Sequence, residues 1–366
     1  MKLGIPKERV DGETRVATTP EIAKKLVAGG LEVLLEHGAG ELAQYTDAAY
    51  AEAGVQLTDA AGAFACDIVA KVRKPLADEV GALREGAVLV GHAETCEDDE
   101  ITAALRARDI KLIAMERIPR ISRAQSMDAL SSQSNIAGYR AVIEAAGHFG
   151  RFLPLMMTSA GSAKPARVIV LGAGVAGLQA IATARRLGAD VYAYDVRPET
   201  AEQISSLGAK PITLDLGEAG GGEGGYAKEL SEEGKAKQQA MLADELAKAH
   251  IIVTTALIPC RPAPVLITEA VVERMRQGSV IVDLAAATGG NCPLTEADRI
   301  VVKHGVIIVG HTNYPAMMSS DASAFYAKNI ANLLDIMLDR SGDTIALKDL
   351  DEDEITRSAL LRAPDA

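Results

Sequence analysis

The sequence predicts an α/β protein of two doubly wound domains, each a parallel sheet with helices on both faces, and a cleft between them. Three observations predict it. Short apolar runs alternate with Ala-rich helical stretches along most of the 366 residues. The alternation falls into two series, separated by a long helical segment. The second series opens on a strand that runs into a glycine-rich turn. At about 150 residues per domain the length also suits two domains.

In the first series Lys2 to Ile5, Glu32 to Leu35, Ile68 to Val72, Ala87 to Val90 and Ile110 to Ala114 read as buried strands. Pro20 to Leu26 reads as a helix, with proline in its first turn and Gly29-Gly30 as its stop. Ser126 to Phe149 reads as the long connecting helix, because Ile136, Tyr139, Val142 and Ile143 recur at helical spacing. The second series has strands at Val168 to Leu171, Val191 to Tyr194, Ile251 to Thr255, Val280 to Leu284 and Val306 to Val309. A last helix, roughly Ala322 to Leu338, returns the chain to the first domain. The expected domains are 1–125 with about 320–366, and 126–319. Two stretches resist burial by composition: Gly217 to Gly225, with six glycines in nine residues, and the acidic Asp349 to Glu354. The first reads as a mobile loop and the second as a solvated tail.

Lys and Arg number 38 against 50 Asp and Glu, a net charge of −12. An acidic total argues against a phosphate-backbone partner, and 3% aromatic residues with no tryptophan argue against base stacking. The expectation is therefore no nucleic acid. The longest apolar runs, Ile251 to Pro259 and Val280 to Ala287, are strand-length and far short of the roughly 18 residues of a membrane helix. Lys7, Glu8 and Arg9 stand where a signal peptide would need apolar residues. Cys66, Cys96, Cys260 and Cys292 form no C-x-x-C pair and the six histidines are scattered, which predicts reduced thiols and no metal.

Arg167 to Gly177, RVIVLGAGVAG, is a strand entering a G-x-G-x-x-G turn. A helix with Leu178, Ile181, Ala182 and Leu187 on one face follows, and the next strand ends at Asp195. Each glycine has its own reason. Gly172 permits the tight turn, Gly174 lets backbone approach a pyrophosphate, and Gly177 permits close helix–strand packing. The helix N-terminus offers free N–H groups to phosphate. Asp195 is placed to accept from adenosine ribose hydroxyls, which favours NAD(H) over NADP(H), although Arg197 is the residue type that accommodates a 2′-phosphate. Thr254 to Pro259 follows a strand and flanks the same carboxyl edge.

Two polar groups stand out elsewhere. Arg120, Arg123, Gln125, Asp128 and Ser131 lie within twelve residues, with Gln125 and Asp128 three apart. They suit a carboxamide and a ribose, and equally a helix start with Ser126 as cap. Arg15, Lys74 and His92 each lie near a strand of the first domain. They suit a carboxylate-binding site, and equally three unrelated surface residues.

Arg120 to Val142, RISRAQSMDALSSQSNIAGYRAV, resembles the NAD(H)-binding component of proton-translocating nicotinamide nucleotide transhydrogenase. So do Ile5 to Arg9, Gly172 to Thr183, Gly224 to Glu229, Thr255 to Pro259, Gly289 to Pro293 and Gly310 to Asn313. The resemblance implies a soluble oxidoreductase subunit that binds NAD(H) and passes hydride directly to NADP(H) on a partner subunit. A membrane subunit would couple this to proton translocation. It also implies a homodimer in the cytoplasm, peripheral at the inner face of the cell membrane through its partners. By position it assigns Arg120, Gln125, Asp128 and Ser131 to the nicotinamide and its ribose, with Gln125, Asp128 and Arg120 catalytic. Gly172, Gly174, Val175 and Gly177 fall to the pyrophosphate, and Asp195, Val196 and Arg197 to the adenosine side. Gly225 and Tyr226 fall on a mobile loop at 216–234 that closes over nucleotide, and Gln238 and Leu257 are further contacts. The chain is similar as well to alanine dehydrogenase, which would use Arg15, Lys74 and His92 on its substrate. That chemistry also requires an aspartate four residues after Asp283, where this sequence has Ala287. A non-catalytic NAD(H) sensor is the third reading.

Overall fold

The computed structural model describes residues 1–94, 99–213, 232–258, 260–342 and 344–361. Of 232–236, 238 and 239 it describes the backbone alone. The chain divides into two compact units, Met1–Gln133 with Pro315–Ala366, and Ser134–Tyr314.

The first unit is built on β1 (Lys2–Ile5), β2 (Glu32–Glu36), β3 (Gln56–Thr58), β4 (Ile68–Ala70), β5 (Val88–Gly91) and β6 (Lys111–Ala114). Every pairing is parallel, in the order β3-β2-β1-β4-β5-β6. Leu3, Ile5, Val69 and Val90 are wholly buried, as strands covered on both faces require. Helices α1 (Pro20–Ala28), α2 (Asp47–Glu52), α3 (Ala60–Phe64), α4 (Ala77–Val80) and α5 (Glu100–Ala107) connect the strands. Thr19 caps α1 by accepting from the Ile22 N–H, and Gly30 at φ +91° ends it.

The long helix α6 (Ala129–His148) begins at the end of this unit. Its cap is Asp128, whose carboxylate accepts from the Ser131 N–H at 2.8 Å, and not Ser126. Ser126 belongs to a short 3₁₀ segment, Ser122–Met127.

The second unit carries a small hairpin, β7 (Met156–Thr158) and β8 (Gly161–Ala163), and then its own sheet. Those strands are β9 (Arg167–Leu171), β10 (Asp190–Tyr194), β11 (Lys210–Pro211), β12 (Ile251–Thr254), β13 (Val280–Asp283), β14 (Ile300–Lys303) and β15 (Val306–Val309). The order β11-β10-β9-β12-β13-β15-β14 repeats the winding of the first sheet, with β14 antiparallel at the edge. Helices α7 (Val175–Arg186), α8 (Thr200–Ser206), α9 (Glu232–Leu246) and α10 (Glu269–Arg274) complete it. The sequence reading missed β3, β11 and β14. Two of these are two or three residues long, and β14 carries only the short apolar run Ile300 to Val302 on a half-exposed edge.

Helix α11 (Ser319–Met337) belongs to the first unit, where Tyr326, Leu333 and Leu334 enter its core. A strand pair, β16 (Leu338–Asp339) and β17 (Ala346–Leu347), leads to α12 (Glu354–Ala359). The acidic side chains of Asp349 to Glu354 are solvated as expected, Asp353 only partly, while Leu350, Ile355 and Ala359 anchor the segment in the core of the first unit. Among the described residues Cys66 and Cys292 are free and buried, as expected of reduced thiols. No helix among the described residues is long and apolar enough to cross a membrane.

Candidate functional site

In the second unit β9 delivers the chain into the turn at Gly172. Gly172 has φ +101°, and a Cβ there would lie 2.3 Å from Thr255 Oγ1, so the turn admits only glycine. A Cβ at Gly177 would lie 1.8 Å from the Gly172 carbonyl oxygen, which sets α7 hard against the turn. A Cβ at Gly174 would meet nothing within 4 Å. That open space in front of the α7 N-terminus is the room a pyrophosphate needs, and the backbone there faces it. The buried stripe of α7 is Gly177, Ala180, Ile181, Thr183 and Ala184, not the Leu178–Leu187 face read from the sequence.

Asp195 stands one residue past β10. Its Oδ2 accepts from the Ala173 N–H at 2.7 Å, which ties it to the glycine turn. Its two oxygens also receive Arg197 Nε and Nη2, both at 2.9 Å. Burial pushes the Asp195 carboxyl up, but the Arg197 and Ala173 hydrogen bonds outweigh it and hold it below the ordinary carboxylate range. Val196 is half-buried against the core. Val175 and Leu257 are exposed apolar side chains. They follow the carboxyl ends of β9 and β12, which pair at Leu171 and Thr254.

The Thr255–Pro264 segment is held by a residue that the sequence reading named only as one of a longer landmark. Asn291 is buried, donates to the Ala256 and Pro264 carbonyls at 2.9 and 2.8 Å, and accepts from the Ala256 N–H. Gly138 is a second such case. A Cβ there would lie 2.0 Å from the Ala176 carbonyl oxygen, so α6 and the first turn of α7 touch backbone to backbone. Asp283, at the end of β13, is buried and fully satisfied. It receives Thr254 Oγ1, the Ala285 and Cys292 N–H groups and Thr295 Oγ1 at 2.7–3.1 Å. Ala287 is exposed beyond it. Gln238 lies on α9, while Gly225, Tyr226 and residues 216–231 lie outside the described residues, and 232–234 open α9.

In the first unit the loop from Arg120 to Asp128 is fixed from three sides. The Ser126 carbonyl accepts from Asn329 and Asn332 of α11, each at 2.9 Å. Arg123 makes a two-pronged bond to Asp353 at 2.6 and 2.8 Å, and Asp353 also caps α12. Asp128 receives both the N–H and the hydroxyl of Ser131. Arg120 and Gln125 are exposed on this frame. The Gln125 side chain has no hydrogen-bond partner among the described residues. Thus Asp128 and Ser131 are brought together, and Gln125 is presented outward on a rigid support.

Arg15, Lys74 and His92 each face one of the chain's own carboxylates. Arg15 is buried and forks onto Glu13 at 2.7 and 2.8 Å, with Gln133 as a further partner at 2.8 Å. Lys74 bonds Asp99 at 2.7 Å and Thr102 at 2.9 Å. Burial raises the Asp99 carboxyl, but these bonds outweigh it and hold it down at about 2. His92 faces Glu116 at 3.5 Å and stacks on Tyr326.

The chain matches two family models, alanine dehydrogenase/PNT N-terminal domain over residues 4–137 and alanine dehydrogenase/PNT C-terminal domain over residues 141–361. It is 52% identical to an NAD(P) transhydrogenase alpha subunit polypeptide of Rhodospirillum rubrum, over 99% of this chain and 96% of that one. A solved transhydrogenase from Sinorhizobium meliloti superposes with a TM-score of 0.84 at 44% identity, covering 92% of this chain and 94% of that one. Alanine dehydrogenase 2 of Staphylococcus aureus is 30% identical over 91% of this chain and 88% of its own length. The chain belongs to the alanine dehydrogenase/PNT family, and within it to the NAD(P) transhydrogenase alpha subunits.

Proposed function

We propose that this chain binds NAD(H) and exchanges hydride directly with NADP(H) held by a separate subunit. The observation that carries the reading is that Arg15, Lys74 and His92 already face carboxylates of this chain. An amino-acid substrate would need them for its carboxylate, yet each already has an internal carboxylate partner. Ala287 adds no general base, and oxidising an amine needs one to take up protons. Hydride passing between two nicotinamide rings needs none.

The residues present suit the nucleotide. A Cβ would fill the space in front of Gly174, as expected of a pyrophosphate cradle. Asp195 engages the guanidinium of Arg197, which favours NAD(H) over NADP(H), because the guanidinium is already paired with a carboxylate and Asp195 adds negative charge beside a 2′-phosphate. When bound, NAD(H) donates or accepts the hydride at its nicotinamide ring. Gln125 orients the carboxamide, and Asp128 accepts from the ribose with the lone pairs that Ser131 leaves open. Arg120 stands close by. The chain's contribution to rate is positioning, with reacting atoms held about 3–3.5 Å apart.

Partner subunits carry NADP(H) and the membrane-bound proton step, and place this chain at the inner face of the cell membrane. Self-association as a homodimer is supported by exposed Phe152, Leu155, Met156 and Met157 beside and on the β7–β8 hairpin, a contiguous apolar stretch of chain. The test mixes the chain with NADH, an oxidised NADP analogue and a recombinant NADP(H)-binding subunit. A parallel mixture holds NAD⁺ and L-alanine without the partner. Hydride transfer only in the first supports the proposal. Turnover in the second supports alanine dehydrogenase, and turnover in neither supports a sensor.

A further inference from the structure

The amino end of the second sheet carries a polar site that the nucleotide reading does not use. β9 starts at Arg167, and β12 follows His250. A cavity of about 560 Å³ opens there, lined by Arg151, Lys164, Arg167, Lys248, His250 and Arg276 among others. The five residues of β9 separate it from Gly172 by roughly 15 Å. No carboxylate lines it. Among the described residues Glu245 is the one acid paired with these cations, bonding Arg167 and Lys248. Arg151, Lys164 and Arg276 have no carboxylate partner among the described residues. Such a concentration of positive charge in a chain of net charge −12 is unfavourable unless an anion offsets it.

His250 makes the requirement specific. Its backbone is locked into the sheet edge, donating to the Arg167 carbonyl at 2.9 Å and accepting from the Val280 N–H at 3.0 Å. Its Nδ1 accepts from the Arg167 backbone N–H at 2.8 Å. An amide N–H only donates, so Nδ1 carries no proton and the ring proton sits on Nε2. That Nε2–H faces Arg276 Nη1 at 3.0 Å and Arg151 Nη1 at 3.5 Å. Guanidinium groups are also donors only. Three donors therefore converge with no acceptor among the described residues. Burial first, then Arg276, Arg151 and Arg167, hold the His250 pKa below its ordinary value, in keeping with the neutral ring.

We propose that this cavity binds a phosphate group, whose several oxygens accept from His250 Nε2, Arg276 and Arg151 while Lys164 adds charge. Five cations against one carboxylate favour a multiply charged phosphate over a single carboxylate ligand. The same chemistry is offered by a soluble phosphorylated molecule and by a lipid headgroup.

Inorganic pyrophosphate is titrated calorimetrically into the full chain, with and without saturating NADH. Saturation fills the Gly172 turn, so binding that persists belongs elsewhere. The expected result is one site per chain, with Arg276→Ala and Arg151→Ala each weakening it about tenfold while NADH affinity stays unchanged. The His250 Nε2 resonance shifts on addition and Nδ1 does not. Sedimentation with vesicles of phosphatidylcholine and phosphatidylglycerol separates the sources. Binding to vesicles that both variants lose assigns the headgroup; pyrophosphate binding alone assigns the soluble ligand. Absence of both, or equal binding in the variants, overturns the proposal. So does a change of oligomeric state in the variants without anion binding, which would make the cavity a protein contact.

Discussion

The glycine turn of the second unit and the Arg120–Asp128 loop of the first are built by opposite means. The turn is local. Gly172, Gly174 and Gly177 lie within six residues, and its outside supports, Thr255 and Asp195, come from neighbouring strands. What it presents is backbone N–H groups and an absence of side chains. The loop is remote. Asn329, Asn332 and Asp353 hold it from more than 200 residues away in sequence, and what it presents is outward-facing side chains. A site made of backbone is broken by adding atoms, and a site made of presented side chains by letting its support slacken.

The largest effect is expected at the turn. Gly177→Ala drives a methyl into the Gly172 carbonyl, with backbone on both sides, and costs about 3 kcal/mol with loss of NADH binding. Thermal unfolding and fluorescence titration measure both. Near-normal binding would mean that the turn is more forgiving than its geometry. In the loop, Gln125→Asn shortens the presented amide by one methylene. Hydride transfer falls about 10²-fold while NADH affinity changes little. Equal losses in rate and affinity would remove the positioning role. Asn329→Ala takes one donor from Ser126 and an acceptor from Ser132, and costs about 1–3 kcal/mol. If the support argument holds, kcat falls about tenfold and KM for NADH stays level; loss of stability without a kcat change would make Asn329 purely structural.

The smallest effect is a pH dependence. The Arg123 guanidinium beside Asp353 holds its carboxyl below the usual range. A depressed folded pKa contributes stability that is fully present above the unfolded value, about 3.9, and is lost as pH falls through the folded one. The stability gap between the wild type and Asp353→Asn therefore narrows below about pH 4. Denaturation series across that range check it, and a gap that stays constant would show that the pair contributes nothing through charge.

The same contrast explains what was legible in the sequence. The two sheets were legible because their central strands are continuous apolar runs, and the turn because its chemistry is written in consecutive residues. β3 and β11 were not, since two or three residues carry no period, and β14 was not because it is a half-exposed edge strand. Asp128 was legible as a polar residue near a helix start, but its role as the cap depended on where the 3₁₀ segment ended. Asn291 and Gly138 were invisible for another reason. Each is defined by a contact with a distant stretch of backbone, Pro264 or Ala176, that no spacing rule encodes. The acidic stretch was legible as solvated, but composition does not show that Leu350, Ile355 and Ala359 around it anchor it to the core.

The satisfied carboxylate of Asp283 has a consequence for how this scaffold diversifies. With all its bonds made to Thr254, Ala285, Cys292 and Thr295, Asp283 shapes the strand end without help from position 287. Ala287 lies outside that lock and in solvent. A carboxylate can therefore be gained or lost there at little cost to the fold. Position 287 is thus open to a charged side chain without disturbing the strand end.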